Sequence, residues 1–133
     1  MTRYNNFEQV FNIFDELFGE VFSDPDIAKK LEQSNMVIKY NLSEPDGVVW
    51  VDTKTKQVIK NDYDKNFTVE LTVTADLLHD FLMKKLNINT ALATKKIKTK
   101  GAILQFLKFV PFMNKAIKIY PEVAMKHGIS VSA

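Results

Sequence analysis

Residues 67–82 read FTVELTVTADLLHDFL, and the period of their apolar side chains changes at Thr74. Before Thr74, every second residue from Phe67 to Val73 is apolar and the residues between them are threonine or glutamate, which predicts a strand with one buried face. After Thr74, apolar residues recur at three- and four-residue spacings, as on one face of a helix, and threonine is a favoured N-cap residue. The stretch therefore predicts a strand that leads directly into a helix.

A phenylalanine-rich amphipathic helix is predicted near the N-terminus. Apolar residues from Phe7 to Phe22 recur every three or four positions, and acidic or amide side chains occupy the other face. An acidic polar face is unsuited to an anionic membrane surface, so we expect this helix to pack on the core. A second helix is predicted after it, with Asp24 as its N-cap and Pro25 in its first turn.

Several short strands are predicted around the turn signals that follow. Segments 36–43, 48–52 and 57–61 are rich in β-branched and aromatic residues and are separated by the turn sequences EPDG and TKTK. A lysine-guarded segment, 96–100, is predicted to lie at a sheet edge. Together with residues 67–73, these segments predict an α+β fold with a single, mainly antiparallel sheet of about five strands and with helices on one face.

The segment 102–120, AILQFLKFVPFMNKAIKIY, is apolar and basic, and Pro111 interrupts it. Because proline removes a backbone donor and restricts the residue before it, we expect two helical pieces, 102–109 and 112–119, with Val110 outside helical geometry. Two alternatives stay open for the second piece. It is either a lid that closes over a cavity or a helix fixed in the core.

Positive charge is concentrated in the second part of the chain. The net charge is +2, but residues 1–80 contain 8 basic and 15 acidic side chains, whereas residues 81–133 contain 10 basic and 1 acidic. Either the two parts attract each other within one fold, or the basic part makes transient contact with an anionic membrane. Nucleic acid is not expected as a partner, because the residues between the lysines of KKIKTK cannot stack on bases.

No catalytic or metal-binding constellation is recognisable in the sequence. The chain has no cysteine, its two histidines, His79 and His127, are far apart, and its four glycines do not cluster into a phosphate-binding loop. His79 is expected at the surface. Residues 62–67 begin like a calcium loop but place Phe67 and Val73 where glycine and glutamate are required. We therefore expect no catalytic residue, no metal and no cofactor, and a protein that is not an enzyme.

The start of the chain does not resemble a secretory signal, because Asp15 and Glu16 interrupt its apolar residues and no small-residue cleavage site follows. The uninterrupted apolar runs are also far shorter than the roughly 20 residues that a membrane-spanning helix needs. Both observations predict a cytoplasmic protein.

Residues 67–101 resemble the sterol carrier protein type-2 family. The elements follow the family's order: an alternating strand, a helix after Thr74, a Lys-Leu-Asn step, an Ala-Leu pair, and Lys-Ile-Lys-Thr-Lys-Gly before an apolar helix. The sequence departs from the family pattern at Lys84 and Lys95, where the family has glycine, and at Ile88, where it often has proline.

The resemblance implies one lipid-binding domain over residues 1–133, with an apolar tunnel between the sheet and the helices. The expected ligand is a fatty acid, acyl-CoA, phospholipid or sterol-like lipid, bound and transferred without catalysis. The alternative is an accessory module that docks on a partner protein or an anionic membrane through its basic half. The residues expected to line the tunnel are Trp50, Leu71, Val73, Phe81, Leu82, Leu92, Ile103, Phe106, Leu107, Phe112, Met113 and Ile117.

Overall fold

The computed structural model describes residues 3–130, which form helices at both ends of the chain and strands between them. Helices α1 to α6 span Phe7–Ser23, Pro25–Ser34, Ala75–Leu82, Ile88–Ala93, Ile103–Phe109 and Asn114–Lys126, and a 3-10 helix, Val110–Met113, joins α5 to α6. Strands β1 to β5 span Val37–Ser43, Gly47–Asp52, Gln57–Lys60, Val69–Thr74 and Lys98–Gly101.

The five strands form one sheet in the order β3-β2-β1-β4-β5. β1 with β2, β2 with β3, and β4 with β5 are antiparallel pairs, whereas β1 and β4 are parallel. The predicted α+β class and the mainly antiparallel sheet are thus confirmed, and β5 lies at an edge as expected. The one parallel pair was not foreseen from the sequence, and it forms because the chain crosses back over the sheet after β3 before β4 begins.

Side chains of the central strands alternate between the two faces of the sheet. On the face that the helices cover, Tyr40 of β1 lies opposite Leu71 of β4, and both are buried. Val69 and Val73 are buried on the same face, two residues before and after Leu71. The predicted alternation is confirmed for these three residues of β4, while Phe67 precedes the strand and is half-buried.

The opposite face of the sheet has polar and aromatic side chains. The Lys39 ammonium lies 3.3 Å from the Glu70 carboxylate and 5.2 Å from the centroid of the Trp50 ring. The Trp50 indole donates its Nε1 hydrogen to the backbone oxygen of Asn61 at 2.9 Å, and its ring lies 5.8 Å from that of Tyr63. Trp50 therefore belongs to the face that is turned away from the helices.

Helix α1 packs along the covered face of the sheet. The Asn6 side chain accepts a hydrogen bond from the backbone N–H of Gln9 at 2.9 Å, which caps the helix. The Phe18 ring stacks on that of Phe109 at the end of α5, with centroids 6.4 Å apart. The predicted apolar stripe of α1 is confirmed. Its buried residues are Val10, Ile13, Phe14, Leu17, Phe18 and Val21.

The acidic and basic parts of the chain meet between α1 and α6. The Glu16 carboxylate lies 3.3 Å from the Lys126 ammonium and 3.1 Å from the His127 imidazole. Within the described part of the chain, Lys126 is the one lysine of residues 81–133 that forms an ion pair. The two parts therefore attract each other at this point, and also in the sheet, where Lys100 of β5 lies opposite Glu70 of β4.

The C-terminal helices depart from the sequence prediction at both prolines. Val110 has helical backbone angles (φ −52°, ψ −40°), and its N–H donates to the backbone oxygen of Phe106. The expectation that Val110 leaves helical geometry is wrong because Pro111 lies in the first turn of the 3-10 helix, where its missing N–H is not needed. Helix α6 also continues through Pro121 to Lys126, beyond the predicted end.

We predict that Gly101→Ala lowers the free energy of unfolding by more than about 1–2 kcal/mol. Gly101 has φ +98°, and a Cβ atom there would lie 2.4 Å from the backbone oxygen of Thr68, which cannot move aside without breaking the β4–β5 pairing. Gly19→Ala is the control, since no heavy atom lies within 4 Å of its added Cβ and alanine favours the interior of α1. Urea denaturation that ranks Gly19→Ala as the less stable variant would contradict this.

Candidate functional site

A small cavity lies between the covered face of the sheet and the helices. Its volume is about 40 Å³. Side chains from α1, β1, β4, α3, α4, α5 and the 3-10 helix surround it, together with one residue just before β5. The lining residues are Phe14, Leu17, Phe18, Tyr40, Leu71, Val73, Leu77, Leu78, Phe81, Leu82, Ile88, Ile97, Phe106 and Met113.

The side chains that line the cavity are almost entirely hydrocarbon. None of these side chains has a formal charge, and the hydroxyl of Tyr40 is the one polar side-chain group among them. Burial raises the pKa of Tyr40 above its ordinary value, so this hydroxyl stays protonated. A lining of this kind favours apolar ligands and disfavours any ionised group inside.

The cavity must expand before it can hold a long ligand. An apolar cavity of about 150 Å³ is needed for a molecule as small as benzene, whereas this cavity has about 40 Å³. Among the lining residues, only Leu77, Leu78 and Phe81 of α3 and Ile88 of α4 are half-buried, so these two helices separate the cavity from solvent least completely. The continuous tunnel that the family resemblance implies therefore stays a prediction.

Six of the residues predicted to line a tunnel surround this cavity. They are Leu71, Val73, Phe81, Leu82, Phe106 and Met113. Five others lie outside it and are half-buried, on α4, α5, the 3-10 helix and α6, and all of these except Leu107 pack against the core. They are Leu92, Ile103, Leu107, Phe112 and Ile117. Trp50 lies on the opposite face of the sheet. Contact of all twelve residues with a ligand stays a prediction.

The sequence prediction missed eight of the fourteen lining residues, which lie on α1, β1, α3, α4 and just before β5. Phe14, Leu17 and Phe18 were assigned to the core because they form the apolar stripe of α1, and that stripe both fills the core and borders the cavity. Leu77 and Leu78 precede the two residues of α3 that were predicted to line a tunnel. Tyr40 could have been found from its place in an alternating strand, since its neighbours Lys39 and Asn41 are polar.

A buried hydrogen-bonded cluster holds α3 and α6 to the segment before α1. The Tyr120 hydroxyl lies 2.7 Å from the Tyr4 hydroxyl and 2.5 Å from Nδ1 of His79. His79 is 1% exposed, so its expected surface position is wrong. Burial, assisted by the charge of Arg3, lowers the pKa of His79, and burial raises that of Tyr120 to about 12. The cluster is therefore uncharged at neutral pH and fixes one end of α3, the helix that borders the cavity.

Residues 3–130 contain neither a metal-binding cluster nor a helix that could span a membrane. No three histidine, aspartate or glutamate side chains converge there as ligands of a metal ion. No helix in that range has the length and apolar character to cross a membrane.

A sheet and a helical layer that enclose an uncharged apolar cavity are the features of a carrier domain for apolar ligands. The chain belongs to the SCP-2 sterol transfer family, whose model matches residues 14–114. This range includes every residue that lines the cavity. No curated protein sequence matches the chain significantly.

Solved structures have the same fold at low sequence identity. Sterol carrier protein 2 from Yarrowia lipolytica, in its apo form, is 19% identical with a TM-score of 0.65, over 85% of this chain and 94% of that one. The sterol carrier protein domain 2 of Helicoverpa armigera is 20% identical with a TM-score of 0.67, over 83% and 89%. Palmitated SCP2L2 from Aedes aegypti is 21% identical with a TM-score of 0.51, over 59% and 72%.

We predict that the protein loses stability between pH 7.5 and 5.5 because of His79. The folded state keeps His79 neutral, whereas the unfolded chain protonates it near the ordinary value of 6.5, so protons favour unfolding as the pH falls through that range. Denaturation across this pH range should give a falling free energy of unfolding for the wild type and for His127→Gln. If the free energy of unfolding of His79→Gln falls equally steeply with pH, another group causes the loss of stability.

Proposed function

We propose that this protein binds a long-chain lipid between its sheet and its helices and transfers it between membranes without catalysing a reaction. The observation that carries the proposal is the cavity, because its fourteen lining residues provide no charge and only one hydroxyl. Membership of the SCP-2 sterol transfer family supports it. The palmitated state of the Aedes aegypti protein supports an acyl chain as the class of ligand.

The ligand enters, in this proposal, between α3 and α4. Helix α4 has six residues and Ala91 is its one buried residue, so few contacts hold it in place. Helix α5 has no side-chain N-cap and buries only Phe106 and Phe109. Both helices are therefore suited to move outward while the sheet and α1 stay fixed. The lid considered from the sequence was the second C-terminal piece, 112–119, most of which lies in α6. The movable cover in this proposal is different and consists of α4, α5 and the 3-10 helix.

The energetics of such a site are compatible with reversible binding. Each buried methylene contributes about 0.8 kcal/mol, so about twelve of them contribute roughly 10 kcal/mol. Separating α4 and α5 from the core costs part of this binding free energy. If about 8 kcal/mol is left, the dissociation constant is micromolar. A carrier that both loads and releases its ligand works in this range.

Helix α5 is the surface that we propose meets the membrane. Leu104 is 74% exposed on this helix, and Lys108 is exposed one turn further along, on the same side. Lys118, which follows α5 in the sequence, is exposed too, and neither Lys108 nor Lys118 forms an ion pair within residues 3–130. An exposed leucine among unpaired lysines suits a bilayer surface with anionic headgroups.

We predict that Leu78→Glu lowers the affinity for a fluorescent acyl-chain probe at least about tenfold, because a bound chain would have to desolvate the new carboxylate. Leu78 borders the cavity and is half-buried, so the variant can keep its fold, which circular dichroism checks. The control is Ile59→Glu, a half-buried position whose partner in the sheet is Trp50 on the opposite face. Equal losses in the two variants would count against binding in the cavity.

We predict that Lys108→Gln slows lipid transfer to phosphatidylserine vesicles about fivefold at low salt, since one lysine near an anionic surface contributes about 1 kcal/mol. The difference should shrink in 0.5 M salt, where screening is stronger. Lys54→Gln, at an exposed position in the β2–β3 turn, should transfer like the wild type. Wild-type transfer rates that change neither with salt nor with lipid charge would rule out this membrane contact. Docking of a partner protein would then be the alternative role of the basic part.

A further inference from the structure

Tyr40 is the exception among the buried polar side chains. It lies in the middle of β1, the central strand of the sheet, and is 4% exposed. The hydroxyls of Tyr4, Tyr120 and Thr53 are hydrogen-bonded. The Tyr40 hydroxyl, in contrast, has no hydrogen-bond partner among residues 3–130, and burial is the one cause of its raised pKa.

Tyr40 lines the cavity, and its hydroxyl is not completely enclosed. No side-chain polar atom in the described residues is both completely enclosed and unpaired. Because the Tyr40 hydroxyl is unpaired, its oxygen must retain some contact with open space, and the cavity is an open space that this residue lines.

Packing alone does not account for the hydroxyl. The Tyr40 ring meets the Phe14 ring edge to face, with centroids 5.6 Å apart, and a phenylalanine at this position would make the same contact. A buried hydroxyl without a partner disfavours the folded state, whereas phenylalanine would not. The hydroxyl is therefore best explained by a partner that arrives with the ligand.

We infer that the Tyr40 hydroxyl donates a hydrogen bond to an uncharged oxygen of the bound lipid, so that the cavity favours neutral lipids with one buried oxygen, such as a fatty alcohol. This inference rests on the proposed function and adds the chemical class of the ligand. A carboxylate is unsuited to this position, because no lining residue has a positive charge to compensate for its lost hydration. A fatty acid would bind with its carboxylate in water at the opening between α3 and α4 and would leave Tyr40 unpaired.

Dodecanol and laurate, which have chains of the same length, test this inference with Tyr40→Phe. Isothermal titration at pH 8 should show that the substitution weakens dodecanol binding about five- to tenfold, the usual effect of one hydrogen bond, and changes laurate binding less than about twofold. The control, Tyr63→Phe, removes a hydroxyl on the other face of the sheet that donates to Asp52 at 2.6 Å, and should change neither affinity. Losses of equal size for the two ligands, or no loss for either, would overturn the inference.

The unliganded variant gives a second test. Tyr40→Phe should unfold at the same or a higher urea concentration than the wild type, because it removes an unpaired hydroxyl. A clear decrease would mean that the hydroxyl has a partner within the protein and would overturn the inference. If neither dodecanol nor laurate binds the wild type, the proposed function fails as well, whereas binding of both with an unchanged ratio in Tyr40→Phe overturns the role of Tyr40 alone.

Discussion

The parallel pairing of β1 with β4 is the constraint on which the rest of the structure depends. It places Tyr40 beside Leu71 at the centre of one apolar face, which is stable only when helices remove that face from water. Helices α1 and α6 cover it closely and are held together by the Glu16–Lys126 ion pair. Helices α3 to α5 are short, and the cavity lies beneath them. The helical layer thus combines a closely packed part with the short helices that, in the proposed function, separate from the sheet.

Most elements of the fold could be predicted from the sequence because short-range chemistry determines them. The change of period at Thr74, the N-caps and the apolar stripe of α1 all depend on neighbouring residues. The pairing of β4 with β1 could not be predicted, because it joins segments separated by two other strands. The continuation of α6 through Pro121 was missed because packing overrides local preference: the neighbouring Tyr120 and nearby Val123 are buried and hold the helix together.

The candidate site could be predicted only in part, because periodicity identifies buried side chains but not the empty space between them. Leu82 and Phe106 were assigned to the lining and do border the cavity, whereas Ile103 is on the same helix as Phe106 and does not. The alternation of β2 requires Trp50 and Val51 to face opposite ways without indicating which one meets the helices. That choice follows from the register with β1, where Trp50 lies opposite Lys39.

The central claim is that an acyl chain occupies an expanded form of the cavity between the sheet and its short helices. Isotope-edited NMR of the protein with ¹³C-labelled dodecanol tests it most directly, through nuclear Overhauser effects between the chain and protein methyl groups. The account predicts contacts to Leu71, Val73 and Leu82, together with shifted resonances in α4 and α5. Contacts confined to Leu104 on the outside of α5, with the methyl groups of β4 unchanged, would contradict it.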